Sequence, residues 1–68
     1  MNEDNLNMEI RKFLKKVGIS SQRIIENHIH EADKNGTIKV GDEIELKMTL
    51  SIKNFQSNNI IDGKIMIE

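Results

Sequence analysis

Ile44-Glu45-Leu46-Lys47-Met48-Thr49-Leu50-Ser51-Ile52-Lys53 alternates apolar and polar residues without a break. A period of two places successive side chains on opposite faces of an extended chain, so this stretch predicts a strand over 44–53, greasy on one side and wet on the other. Further along, Ile61, Gly63, Ile65 and Ile67 alternate with Asp62, Lys64, Met66 and Glu68, which predicts a second strand over 60–67. The tract 54–59 reads as the turn or loop between them. Parity favours antiparallel pairing. With Ile52 opposite Ile61, Leu50 faces Gly63, Met48 faces Ile65 and Leu46 faces Ile67, whereas a slip of one residue sets Ile against Lys. A shorter strand at 37–40 is expected to join through a Gly41-Asp42-Glu43 turn.

Upstream the period lengthens. Leu6, Ile10, Phe13, Leu14 and Val17 recur at helical spacing, which predicts a helix over 3–17. Glu3 and Asp4 at its start and Lys15 and Lys16 at its end suit the helix dipole. Gly18 stands where a left-handed cap is wanted. A second helix is expected over 21–35, capped by Ser20 or Ser21 and stapled by Ile19 and Ile24. Its apolar face is Ile24, Ile25, Ile29 and Ala32, with His28 beside them, and Asn35-Gly36 ends it. The expected fold is therefore α+β: two N-terminal helices packed on one face of a two- or three-stranded antiparallel sheet. A two-stranded hairpin needs such a covering layer. Gly63, on the apolar side of its strand, is expected where a helix comes close.

Composition narrows the function classes. Sixty-eight residues allow one domain. A chain this short buries only about 60% of its unfolded surface and normally needs a staple. With no cysteine, disulfides and thiolate zinc sites are excluded. That leaves a very regular core or a second copy of the chain. No apolar run approaches the ~18 residues of a membrane span. Met1-Asn2-Glu3-Asp4 is acidic where a secretory signal is basic, so the expected location is cytoplasmic. The net charge of −1 and two aromatics, Phe13 and Phe55, lack the basic excess and stacking platforms of nucleic-acid binders.

Few residues offer chemistry. Glu26, His30 and Asp33 share one helix face at i, i+4 and i+7, a geometry able to meet a metal, but no further His or Cys completes a usual zinc site. A solvated Glu–His pair explains the same letters. The sequence contains no nucleophile elbow, phosphate loop or dinucleotide fingerprint. A domain of this size leaves little room for a concave pocket of even about 300 Å³. No enzyme activity and no cofactor are expected. On the sheet, Ile60 and Met66 fall on the polar side of the second strand and Ile38 lies nearby. These three residues mark the expected docking surface for a protein partner or a second copy.

Two resemblances add to this. Phe13-Leu14-Lys15-Lys16-Val17-Gly18-Ile19-Ser20-Ser21-Gln22-Arg23-Ile24 resembles the turn of a DNA-binding helix-turn-helix. That likeness implies Val17, Gly18 and Ile19 as the turn core and Ser21, Gln22 and Asn27 toward the groove. Arg11, Lys15, Gln22 and Arg23 would form the alternative nucleic-acid surface. The pattern departs at Leu14, where a small residue is wanted, and at Asn27, where an apolar one is. A supporting first helix is also missing. The second likeness rests on Asn2-Glu3-Asp4, Ile10-Arg11-Lys12-Phe13-Leu14-Lys15-Lys16-Val17-Gly18, Ser21-Gln22, Lys47-Met48-Thr49-Leu50 and Gly63-Lys64-Ile65-Met66-Ile67-Glu68. With these the chain is similar to a family of bacterial proteins, roughly 70 residues long, of unknown function. The resemblance covers nearly the whole chain. It implies a complete, stand-alone cytoplasmic domain and assigns no site residue.

Overall fold

A computed structural model describes residues 1–68, which divide into two compact units, Met1–Thr37 and Ile38–Glu68. The first unit is a single helix, α1, Glu3–Lys34. Asn2 caps it: the Asn5 amide donates to Asn2 Oδ1 at 3.0 Å and the Leu6 amide to the Asn2 carbonyl at 3.0 Å. At the other end the Thr37 amide donates to the Ala32 carbonyl at 2.9 Å and the Gly36 amide to Asp33 at 3.1 Å. Gly36 sits at φ +70°. This is a Schellman stop, and it needs a residue that adopts the left-handed region without strain.

The expected pair of helices is thus one helix. Gly18 is not a cap and does not take a positive φ; Ser20 and Ser21 are mid-helix residues. The physical reason is a comparison of costs. A glycine inside a helix costs about 1 kcal/mol relative to alanine. A break there leaves up to about four carbonyls and four amides without helical partners. It also discards the alignment of the apolar residues on either side. Val17, Ser21, Ile25 and Ile29 follow at steps of four, so the apolar stripe passes through Gly18 in phase. No proline forces an interruption.

The second unit is an antiparallel hairpin of β1, Glu43–Ile52, and β2, Ser57–Met66. A short 3-10 turn at Lys53–Phe55 joins them through Gln56, which is left-handed at φ 50° and ψ 37°. Parity is as expected, so Ile44, Leu46, Met48, Leu50 and Ile52 share one face. The register is not. Ile52 pairs with Ser57, Leu46 with Gly63 and Met48 with Ile61, so Ile61 slides four residues along β1 from its expected partner. The connection is tighter than a loop over 54–59, and turn geometry sets register once parity is satisfied. The wet face supplies a second reason. The observed register sets Glu45 opposite Lys64 and Lys47 opposite Asp62, where the expected one sets Glu45 against Glu68.

No third strand forms at 37–40. Its backbone groups are used by a turn instead. The Asp42 amide donates to the Lys39 carbonyl at 3.1 Å, and the Lys39 amide to Asp42 Oδ2 at 3.0 Å. Gly41 supplies φ +99°. Its amide donates to Ile67 at 2.7 Å and Ile67 returns a bond to Asp42 at 2.9 Å, which extends the base of the hairpin.

Nor does the expected buried core form. No residue in either unit is buried. Met48, Leu50 and Ile52 on the apolar face of β1 are exposed, and Ile61 on β2 is 62% exposed. A Cβ placed on Gly63 meets no atom within 4 Å, so no element crowds that glycine.

Candidate interaction surfaces

α1 carries one apolar stripe along its whole length. On a helix of about 3.6 residues per turn, Leu6, Ile10, Val17, Ile24 and His28 fall within about 40° of one another. Phe13 flanks this line on one side and Leu14, Ser21, Ile25 and Ala32 on the other. Leu6, Val17, Ser21, Ile25, Ile29 and Ala32 are half-buried, whereas Phe13, Leu14 and Ile24 stay more than half exposed. Sequence reasoning found the two halves of this stripe and missed their continuity. The signal was the unbroken phase from Val17 to Ile25.

The hairpin presents the second apolar face. Ile44 opposite Ile65 and Met48 opposite Ile61 form its cross-strand pairs. Toward the turn the face becomes polar, with Leu50 opposite Asn59 and Ile52 opposite Ser57. The reverse face is wet. There Ser51 Oγ donates to Asn58 Oδ1 at 2.6 Å, and Lys64 Nζ lies 3.8 Å from Glu43 Oε1 across solvent-exposed side chains. Screening leaves that ion pair little energetic weight.

The residues singled out for docking do not gather. Ile60 stands opposite Thr49 and Met66 opposite Glu43, about 20 Å apart along a strand rising ~3.3 Å per residue. The charged pairs of Asp62 and Lys64 lie between them. Ile38 is half-buried and sits outside the strands, before the Lys39–Asp42 turn. Of the alternative set, Arg11, Lys15 and Gln22 line up along α1, and Arg23 lies about 100° round from Gln22. The helix-turn-helix corner that would present them does not exist, because Gly18 is inside a continuous helix.

Glu26, His30 and Asp33 run along one side of α1, yet nowhere do three such side chains form a group able to hold a metal ion. Depressions in the surface include two open grooves. One, about 390 Å³, opens at Gly63 between Leu46 and the Glu45, Asp62 and Lys64 side chains. The other, about 400 Å³, lies along Lys12, Lys15, Lys16, Ile19 and Ser20. Both exceed the room expected from chain length, and both are open grooves lined almost wholly by exposed residues. No helix is long and apolar enough to cross a membrane.

The model of DUF6494, a family of unknown function, matches residues 1–68. No curated protein and no solved structure matches the chain.

Proposed function

We propose that this chain, which belongs to the DUF6494 family of unknown function, is a small non-enzymatic protein-interaction domain that works by self-association. One observation carries the reading: each unit presents an apolar face, and no residue of either is buried. In proteins a helix draws most of its stability from packing its apolar face rather than from propensity, and a lone two-stranded hairpin is marginal at best. A chain of 68 residues without a disulfide has little else to hold it. Covering these faces with a second copy supplies the missing apolar burial at roughly 25 cal/mol per Å². A bacterial cytoplasm fits this reading, since a cysteine-free chain forgoes the disulfides that small secreted domains use.

Sedimentation or light scattering across the micromolar range tests it. A mass of two or more chains that falls on dilution is the expected result. A strict monomer with full helical content at every concentration overturns self-association.

A further inference from the structure

We infer that the outer edge of β2 pairs antiparallel with β2 of a second copy, about a two-fold axis at Gly63. This inference rests on the self-association reading above and assigns it one edge and one register. Ile67 turns its backbone toward β1: its amide donates to the Asp42 carbonyl, and its carbonyl accepts from the Gly41 amide. Backbone groups alternate in direction along a strand, so those of Ile60, Asp62, Lys64 and Met66 point outward from the hairpin. The sheet has two strands only, so no third strand within it pairs that row. An open row of amides and carbonyls is a template for another strand.

The side chains along this edge are complementary to their own reversed copy. A two-fold at Gly63 sets Asp62 opposite Lys64 of the second copy, and Lys64 opposite its Asp62. Ile60 comes opposite Met66 and Ile61 opposite Ile65, each of them twice. Across the joined sheet one wet-face row reads Lys47, Asp62, then Lys64 and Glu45 of the second copy. The sign changes at every step, and opposed charges directly across a strand pair attract. Ile60 and Met66 are more than half exposed on the otherwise polar face. Within one copy they stand apart, and a reversed second strand gives each an apolar neighbour.

Alternation alone does not select this axis. Moved to Asp62 or to Lys64, the two-fold sets that charge against itself. Moved to Ile61 it sets Ile60 against Asp62, and moved to Ile65 it sets Asp62 against Glu68. Edge charges often guard a strand against pairing, but in this register the two signs attract. Lys64 lies 3.8 Å from Glu43 of its own chain, an exposed pair too weak to hold it from a second carboxylate. The β1 edge offers an opposed pair of its own, Glu45 with Lys47 about Leu46. That axis sets Glu43 against Thr49 and leaves Ile60 and Met66 in water. Gly63 agrees with the β2 edge. A glycine inside a strand often marks the close approach of another backbone, and a Cβ there meets no atom of this chain within 4 Å. Joining two hairpins also passes the roughly three-strand minimum for a sheet that stands alone on one apolar face.

The unaltered chain supplies the first test. The amides of Ile60, Asp62, Lys64 and Met66 are expected to exchange freely when dilute. They gain protection as concentration rises through the range where light scattering shows a dimer. The amides of Glu45, Lys47 and Thr49, on the β1 edge, are expected to stay unprotected. The absence of native cysteine allows a second test. At a non-hydrogen-bonded antiparallel pair the Cα atoms lie about 4.5 Å apart, within disulfide reach. Mild oxidation of Gly63→Cys is therefore expected to give a covalent dimer on a non-reducing gel. Ile61→Cys and Ile65→Cys are expected to stay monomeric singly, each lying about 13 Å along the strand from its own copy. Their mixture is expected to cross-link. Protection of the β1-edge amides instead, or cross-linking of Ile61→Cys to itself, overturns the inference. A dimer with neither β2-edge protection nor the Gly63 cross-link removes the edge pairing alone, whereas a strict monomer removes the self-association reading as well.

Discussion

Lys47 stands directly across the hairpin from Asp62, on the face opposite Met48 and Ile61. Neighbouring Glu45 and Lys64 repeat the relationship with the signs exchanged. Opposed charges of this kind contribute about 0.2–1 kcal/mol each, and like charges cost a similar amount. Lys47→Glu turns an opposed pair into a like pair and is therefore expected to lower stability in urea by about 0.4–2 kcal/mol. The exchange Lys47→Asp with Asp62→Lys is expected to recover most of it. If the double exchange is no better than the single changes, the register is wrong.

The two glycines of the first unit are expected to respond with opposite signs. Gly18→Ala removes a helix-interior glycine where an added Cβ meets no atom within 4 Å. It should raise stability by about 1 kcal/mol and increase helicity by circular dichroism. Gly36→Ala forces a side chain into φ +70° and should cost about 1–2 kcal/mol. A loss on Gly18→Ala would mean that the helix does break there.

Asn2 is the only side chain that caps the start of α1. Asn2→Ala is expected to cost about 1 kcal/mol and Asn2→Asp very little, since aspartate caps equally well. Amide exchange at Asn5 is the local readout, because its N–H is the one that Asn2 Oδ1 accepts. Equal exchange in both variants would remove the cap from the account.

Gln56 holds a left-handed conformation that carries a penalty for any residue with a Cβ. Gln56→Gly is expected to stabilise the hairpin by up to about 1 kcal/mol, seen as a higher urea midpoint with an unchanged slope. A lower midpoint would show that glycine's extra freedom in the unfolded chain outweighs the relieved strain.

Much of this architecture was legible in the letters, and the misreadings have identifiable causes. The alternation from Ile44 to Ile52 located β1 to within a residue, and Asn35-Gly36 marked the true end of α1. Gly18 followed by Ile19 and Ser20 imitates a stop and a new cap, and that local rule outweighed a stripe that stays in phase from Leu6 to Ala32. Parity placed Met48 and Ile61 on one face without pairing them. The pairing of Glu45 with Lys64 was available to settle the register, but it gains weight only once the turn is known to be short. Ile60 and Met66 stand on the wet face of β2 with Asp62 and Lys64 between them, a separation the same alternation already implied, whereas Ile38 is half-buried outside the strands.

Residue order alone was enough to assign helix and strand and to say which side of each is apolar, because rotation per residue is a local property of the backbone. Whether those sides are covered is another matter. Apolar burial has no preferred direction or partner, so only the three-dimensional arrangement could reveal that Met48, Leu50 and Ile24 remain in contact with water.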